Sequence, residues 1–373
     1  MSSLAALETP KLLLSKEKLD RNLARMKARL DRFGVPLRPH IKTAKSIDVY
    51  GPALDGAVGV TVSTLAEAEY AFDNDARNIL YAVAISPNKL ERAGALKARG
   101  ADLTVTIDSL DAAKAVAAFD GGLPAVIEID SDDHRAGVQP KSEEALAIAR
   151  LLHGAKGGLY RGLMTHAGGS YDCRSADAIR TMAERERRAV VDTATMLNEA
   201  VIPSEIVSIG STPTATFGEN FDGVTEVRAG VYMFQDLVMA GLGCCAIDDI
   251  AISVLASVIG HQRERNWLIT DAGWMALSRD RGTAEQALDQ GYGLVCDIDG
   301  RPDKDLIVVS SNQEHGVVAR RDGGAIDFDR YPIGAMLRIL PNHACATAAQ
   351  FGSYLVLDED GRVAGEWRRL NGW

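Results

Sequence analysis

The chain has 373 residues, of which 46% are hydrophobic and 25% are charged, a balance typical of a folded globular protein and not of disordered or fibrous proteins. Acidic residues outnumber basic ones by 51 to 41, and the resulting net charge of -10 argues against nucleic acid as a partner. The sequence shows neither a membrane-spanning apolar stretch nor a signal-peptide pattern, and its five cysteines are too few for a disulfide framework. We therefore predict a cytoplasmic protein with no membrane partner.

The first 230 residues alternate between short β-branched runs and longer helical patterns. Eight runs have the composition of strands: Leu37–Ile41, Val58–Val62, Ile79–Val83, Leu103–Ile107, Ala125–Ile129, Gly162–Thr165, Glu205–Ile209 and Thr225–Val227. The segments between them are long enough for crossover helices, as in Ser15–Phe33, Leu65–Asn74, Asn88–Arg99, Asp111–Phe119, Glu143–His153 and Ala176–Glu199. This alternation favours a (β/α)8 TIM-like barrel over an open doubly wound sheet.

After about residue 241 the sequence becomes rich in strand patterns. These cover Ile250–Ile259, Trp267–Asp271, Leu306–Ser310, Gly316–Ala319, Met336–Leu340 and Tyr354–Leu357. Asp-Gly pairs separate several of them and indicate hairpin turns in preference to calcium loops. We therefore predict a barrel over residues 15–241, and a mainly β domain formed by residues 1–14 and 242–373.

Polar residues follow most strands of the predicted barrel, where the active sites of such barrels lie. Lys42 comes directly after the first strand, in a position from which its amine would reach the mouth of the barrel. Desolvation and neighbouring cations lower the pKa of a lysine in such a place, which makes it a candidate nucleophile. The alternative is a lysine that extends into solvent.

Small and hydroxyl-bearing residues follow the seventh strand, in the segment Gly210–Thr214. Backbone amides and hydroxyl groups before a short helix can bind a phosphate, as is common near strands seven and eight of a barrel. A simple loop is the alternative.

His343 and Cys345 lie two positions apart in the β-rich region. If this segment is extended, both side chains point to the same face and could bind one metal ion. An imidazole and a thiolate together favour zinc. A packed histidine beside a buried cysteine is the alternative.

Taken together, these motifs resemble the D-serine dehydratase and D-threonine aldolase family, fold-type III pyridoxal phosphate (PLP) enzymes related to alanine racemase. The resemblance runs nearly end to end. It is carried by Arg38–Thr43, Asp130, Arg135–Val138, Thr165–Gly168, Gly210–Thr214, Glu226–Tyr232, Asp271–Gly273, Glu314–Gly316, and His343 with Cys345.

The resemblance implies a role for each matching residue. Lys42 matches the lysine that binds PLP covalently and removes the Cα proton, with Lys45 as the candidate if Lys42 is not that residue. The remaining positions imply cofactor and metal binding: Arg135 at the phenolic oxygen, His166 stacked on the ring, Arg228 at the pyridine nitrogen, Tyr171, Ser211, Thr212, Gly230, Val231 and Tyr232 around the phosphate, and His343 with Cys345 on zinc.

The implied activity is dehydration of a D-3-hydroxy amino acid, D-threo-3-hydroxyaspartate or D-serine, to a 2-oxo acid and ammonia. An aldolase of the same family is the main alternative, and Cys345 argues against it because such aldolases usually have Asp there. A racemase would need a second acid/base that the sequence does not reveal. A noncatalytic PLP-binding protein would lack the second domain. The resemblance also implies a homodimer.

Overall fold

The structure, a computed structural model, describes residues 4–373. Its strands are β1 (Lys11–Ser15), β2 (Leu37–Pro39), β3 (Val60–Val62), β4 (Asn78–Ala84), β5 (Asp102–Ile107), β6 (Ala125–Glu128), β7 (Tyr160–Met164), β8 (Ile206–Ile209), β9 (Glu226–Ala229), β10 (Ile252–Gln262), β11 (Trp267–Thr270), β12 (Gly293–Cys296), β13 (Pro302–Ser311), β14 (Gly316–Arg320), β15 (Met336–Pro341), β16 (Ser353–Leu357) and β17 (Val363–Arg368).

Its α-helices are α1 (Lys16–Asp31), α2 (Ile47–Tyr50), α3 (Leu65–Asp73), α4 (Leu90–Ala98), α5 (Leu110–Ala118), α6 (Glu143–Gly154), α7 (Ala176–Glu199), α8 (Thr212–Phe217), α9 (Leu237–Gly241), α10 (Trp274–Leu277) and α11 (Ala344–Ala348). None of the helices in the described part of the chain combines the length and the apolar character that crossing a bilayer requires.

Eight parallel strands form the first sheet, in the order β2-β9-β8-β7-β6-β5-β4-β3. A parallel bridge between His40 and Thr61 joins the first strand of this order to the last, with Ile41 N donating to Thr61 O at 2.9 Å. The predicted (β/α)8 barrel is therefore confirmed. Five helices, α3 and α5 to α8, begin after a hydroxyl residue whose oxygen accepts an amide of the first turn: Thr64, Ser109, Ser142, Ser175 and Ser211.

The barrel interior contains a buried ion pair as well as apolar side chains. Arg38 Nε donates to Glu226 Oε2 at 2.8 Å, and Ser208 Oγ donates to the other oxygen of this carboxylate at 2.6 Å. Asn78 Oδ1 accepts from Arg38 Nη1 at 2.7 Å. Because both charged groups have close polar partners, these hydrogen bonds offset the free energy lost when the charges are removed from water. It also links strands that are distant in sequence.

The second sheet has nine strands, in the order β11-β14-β13-β12-β15-β10-β1-β16-β17. An additional pairing between β10 and β11 closes six of these strands into a ring, and β1 lies between β10 and β16. One of its apolar clusters contains Leu237, Ile250, Leu294, Cys296, Ile307 and Leu340. The prediction of a second, mainly β domain is confirmed.

Contacts divide the chain into a β domain, which comprises the chain up to Ala24 and Val231–Asn371, and a barrel domain, Arg25–Gly230 with Gly372–Trp373. The limits at Ala24 and Gly230 differ from the predicted ones at residues 14 and 241. The first half of α1 belongs to the β domain because Asn22 Nδ2 donates to Met233 O at 3.2 Å and to Asp249 O at 2.8 Å. Residues 1–3 of the predicted β domain lie outside the described residues.

Candidate active site

Lys42 lies in the turn that follows β2, and its side chain is exposed. The backbone around it is fixed, since His40 N donates to Ala229 O at 2.8 Å and Lys45 N donates to Ile41 O at 2.8 Å. The segment that carries Lys42 is therefore held in place at the carboxyl end of β2, where the active sites of such barrels lie.

Two histidines of low pKa lie close to Lys42. Burial, reinforced by the charge of Lys42, lowers the pKa of His166 to about 3 and holds that of His40 well below its usual range. His166 Nδ1 lies 3.0 Å from Gly210 O, and because a carbonyl only accepts, this nitrogen carries the proton. Both rings are therefore uncharged at neutral pH and present aromatic faces beside the amine.

Arg135 and Arg228 supply positive charge on the side of the barrel where β6 ends. Arg135 Nη2 lies 3.8 Å from Glu128 Oε1. Burial raises the pKa of Glu128, and Arg135 and Arg228 oppose this shift. Arg228 is buried and donates to Ser208 Oγ and to Thr165 O, so that both of its terminal nitrogens already bind the barrel wall. Sequence reasoning assigned Glu128 no role.

The segment after β8 forms the start of α8. Ser211 Oγ accepts from Thr214 N at 3.1 Å and lies 2.9 Å from Ser170 Oγ, so this hydroxyl caps the helix. Thr212 is buried at the first helical position, and Tyr171 ends a short 3-10 turn over Gly168–Tyr171 with its ring centroid 6.2 Å from that of His166. The structure thus brings Ser211 and Tyr171 into one region of the barrel.

Gly230 ends the barrel portion of the chain. A Cβ atom at this position would lie 2.9 Å from His40 O and 3.1 Å from Thr43 Oγ1, so a larger residue would displace the segment that carries Lys42. Val231 and Tyr232 follow in the β domain and are buried.

Glu186 supports this region from behind, and the sequence analysis missed it. Its Oε1 atom accepts from Ala167 N at 2.9 Å and from Gly210 N at 3.1 Å. These amides belong to the loops that carry His166 and Ser211. Burial raises the pKa of Glu186. The sequence feature that could have identified Glu186 is its position, a carboxylate among the apolar residues on the buried face of α7.

His343 and Cys345 lie in the β domain, but the extended segment predicted for them is wrong. His343 is the residue before α11, and Cys345 lies in the first turn of that helix. The two side chains still come within hydrogen-bonding reach of each other. Burial opposes protonation of His343, but the Cys345 sulfur and the Asp280 carboxylate raise its pKa. The helix, and not strand alternation, therefore brings the two groups together.

The donor groups suit the cofactor and the metal that the motifs imply. A primary amine beside two uncharged rings and two arginines fits a phosphorylated aromatic aldehyde. An imidazole next to a thiol fits zinc. Residues 4–373 contain no cluster of three or more His, Cys, Asp or Glu that could hold a metal ion.

Two family models match the chain. The alanine racemase N-terminal domain matches residues 14–237, and the putative serine dehydratase domain matches residues 251–357. The chain is 50% identical to D-threo-3-hydroxyaspartate dehydratase of Delftia sp., over 100% of this chain and 99% of that protein. It is 32% identical to D-serine dehydratase of Dictyostelium discoideum over 98% of each chain. A 3-hydroxy-D-aspartate aldolase of Paracoccus denitrificans is 26% identical over 97% of this chain and 91% of that protein.

A solved structure of the Delftia dehydratase is 49% identical, covers 100% of both chains and has a TM-score of 0.96. Solved variants of D-threo-3-hydroxyaspartate dehydratase replace a histidine or a cysteine two positions apart by alanine, the cysteine variant in a metal-free form. The resemblance found in the motifs is confirmed. This chain belongs to the D-serine dehydratase family and has the alanine racemase-like barrel and the dehydratase domain of that family.

Proposed function

We propose that this chain is a PLP- and zinc-dependent dehydratase that converts a D-3-hydroxy amino acid to a 2-oxo acid and ammonia. D-threo-3-hydroxyaspartate is the proposed substrate, with D-serine as the second choice. The observation that carries the proposal is the contact between His343 and Cys345 in a chain half identical, end to end, to a dehydratase. Their spacing equals that of the histidine and cysteine replaced in the solved variants of D-threo-3-hydroxyaspartate dehydratase.

The barrel residues would hold PLP. Lys42 would bind it covalently, Arg135 would donate to its phenolic oxygen and His166 would stack on its ring. The phosphate would be bound by Tyr171, Ser211, Thr212, Gly230, Val231 and Tyr232. The Ser211 hydroxyl caps α8 and the Ser211 amide donates to Thr214 Oγ1 at 2.9 Å, so phosphate binding by Ser211 would replace one of these two bonds. Arg228 would face the pyridine nitrogen, although its present bonds to Ser208 and Thr165 leave it few free donors.

When bound, PLP supplies an electron sink that acidifies the Cα–H bond of the substrate. Lys42 is the residue that removes the Cα proton and holds it on Nζ. His40 and His166 are uncharged beside it, and so they do not compete for that proton at neutral pH. Arg135 supplies positive charge to the wall of the site, which would attract an anionic substrate.

The β domain would hold zinc through His343 and Cys345. Zinc in such a site supplies Lewis acidity to the departing β-hydroxyl. A thiolate ligand favours zinc over magnesium or manganese. The enamine that leaves the enzyme tautomerises and is hydrolysed to oxaloacetate and ammonia, or to pyruvate from serine, so the water lost in dehydration is regained in hydrolysis.

Product analysis tests this proposal. The purified protein, supplied with PLP and zinc, is incubated separately with D-threo-3-hydroxyaspartate, D-serine and D-threonine, and oxo acid, ammonia, glycine and aldehyde are measured. We expect equal amounts of oxo acid and ammonia. Glycine and an aldehyde without ammonia would show that the protein is an aldolase and not a dehydratase. The appearance of only the L-amino acid would show that it is a racemase. No turnover of any of the three would favour a noncatalytic PLP-binding protein.

Two further expectations accompany this proposal. We propose a homodimer, as in the relatives that the motifs resemble, and sedimentation equilibrium should give twice the 39.9 kDa mass of one chain. A single-chain mass would contradict it. We also propose a reducing, cytoplasmic setting, since the described residues include five cysteines and form no disulfide.

A further inference from the structure

The ring of His343 is held by a carboxylate that no motif pointed to. Asp280 Oδ2 lies 2.8 Å from His343 Nδ1. The other oxygen, Oδ1, accepts from Gly282 N at 2.8 Å, and Asp280 N donates to Ser278 Oγ at 3.2 Å. These two bonds within the loop hold Asp280 in place independently of its contact with His343.

This bond determines which nitrogen of His343 can bind a metal. An ionised carboxylate only accepts hydrogen bonds, so Nδ1 must carry a proton. Nδ1 is therefore occupied by Asp280, and Nε2 is the nitrogen through which the ring would bind a metal ion. Metal-binding histidines in proteins usually donate their second nitrogen to a carboxylate or a carbonyl in this way, which fixes the tautomer and the direction of the ring.

A second carboxylate fixes the backbone between the two ligands. Asp236 is 1% exposed, and its Oδ2 atom accepts from Ala344 N at 2.9 Å while Oδ1 accepts from Met239 N at 2.9 Å. Thr347 Oγ1 also donates to Leu277 O at 2.8 Å and ties α11 to α10. These bonds hold the backbone of this segment but leave the His343 ring able to rotate. The hydrogen bond to Asp280 fixes the orientation of the ring.

We propose that Asp280 is a positioning residue for the metal: its carboxylate fixes the tautomer and the direction of His343 without binding the ion itself. The proposal rests on the metal site of the proposed function. It predicts that loss of this carboxylate weakens zinc binding while leaving both ligands in place.

The test measures zinc affinity and not turnover. The PLP-loaded protein competes with a chromophoric chelator for zinc at fixed pH, in the wild type and in Asp280→Ala, Asp280→Asn and Asp299→Ala. Asp299 is an exposed aspartate of the same domain and serves as the control. Loss of an outer carboxylate partner of a metal-binding histidine costs roughly 10- to 100-fold in affinity, and we expect this for Asp280→Ala. Asp280→Asn keeps an oxygen acceptor and should lose less, and the control should match the wild type.

The tautomer gives an independent readout. Long-range proton–nitrogen NMR spectra of the zinc-loaded protein, with the His343 signals assigned through His343→Gln, should show Nδ1 protonated in the wild type and a mixture of Nδ1- and Nε2-protonated rings in Asp280→Ala. Unchanged zinc affinity in both Asp280 variants would overturn the inference, as would lower thermal stability with unchanged affinity. A wild-type protein that binds no zinc would instead overturn the metal site of the proposed function, so the two failures are distinct.

Discussion

Lys42 and Lys45 lie three residues apart, and their surroundings separate their roles. Lys45 Nζ lies 3.1 Å from Glu67 Oε1, and the side chains are 14% and 1% exposed. This ion pair engages the Lys45 nitrogen, which is therefore less available to react with an aldehyde. Lys42 instead has an exposed side chain near two uncharged imidazoles. The structure therefore favours Lys42 as the residue that binds PLP.

Replacing each lysine tests this assignment. We expect Lys42→Ala to lose the visible absorbance of the PLP-bound protein, because the amine that binds the aldehyde is gone. Lys45→Ala should keep the absorbance and lose stability, since it leaves Glu67 buried without its ion pair. Absorption spectra after saturation with PLP and gel filtration provide the measurement. A persistent band in Lys42→Ala, together with its loss in Lys45→Ala, would reverse the two roles.

The low pKa values of His40 and His166 predict a pH dependence of stability. Below about pH 6.5 the unfolded chain binds a proton on each ring, whereas the folded chain does not until far lower pH. The free energy of unfolding should therefore fall as the pH falls from 6.5 toward 5, by at most about 1.4 kcal/mol per pH unit for each ring. Both rings keep partial contact with solvent, which reduces this limit.

Urea unfolding at several pH values would measure this slope. His166→Gln should lower it, because one of the two rings no longer titrates. His153→Gln is the control, since His153 is an exposed histidine in the last turn of α6. Equal slopes in the wild type and His166→Gln would contradict the prediction.

At the scale of elements, α7 combines packing with support of the site. Its buried positions Ile179, Ala183, Glu186, Val190, Thr193 and Leu197 recur every three or four residues. Glu186 is the one carboxylate in this stripe, and it accepts amides from two separate loops. Periodicity explains why this position of α7 is buried but not why it is a carboxylate. The bonds of Glu186 to the two loops explain the carboxylate.

We expect Glu186→Ala to lower the free energy of unfolding by about 2 kcal/mol or more, because two buried amides lose their acceptor at about 1–3 kcal/mol each. It should also weaken PLP binding, since both loops carry cofactor-binding residues. Glu186→Gln keeps an oxygen acceptor without charge and should retain most of both. Urea unfolding and PLP titration provide the measurements.

Glu184→Ala is the matched control for this experiment. Glu184 lies on the same helix but is 40% exposed and pairs with Arg187 on the surface, and such pairs contribute little. If Glu184→Ala weakens PLP binding as much as Glu186→Ala does, the support lies in the helix as a whole and not in the Glu186 carboxylate.

Strand patterns predicted the barrel elements within a few residues, because buried parallel strands are uniformly apolar and end at turn residues. Three strands of the β domain were missed. β12 is only four residues long, β17 has exposed side chains at most positions, and β1 precedes a long helix whose pattern dominates that region. The helix at Ala344 was missed because a five-residue element has too little periodicity to detect.

At the scale of the whole molecule, the groups proposed to bind the cofactor and the metal belong to different domains. Lys42 and His166 are in the barrel domain, and His343 and Cys345 are in the β domain. Motifs predicted both sets because their chemistry is local in sequence. Asp280 and Glu186 escaped prediction because each acts through a partner far away in the chain, His343 or the loops after β7 and β8.

This separation predicts the effect of metal removal. We expect treatment with a chelator to abolish dehydration while the PLP absorbance remains, because the metal would act on the hydroxyl group and not on cofactor binding. Zinc should restore activity. Paired activity and absorbance measurements along a chelator titration provide the check, and full activity of Cys345→Ala without added metal would remove the zinc argument.

The position of β1 has a consequence for synthesis of the protein. β1 leaves the ribosome before the barrel does, yet its neighbours in the sheet, β10 and β16, are translated only after the whole barrel sequence. At about 5–20 residues per second this delay is on the order of 10–50 s. During that time the nascent chain carries an apolar strand with two unpaired edges, which invites aggregation. Chaperone shielding of these first residues would therefore matter more to the yield of native protein than would the folding of the barrel itself.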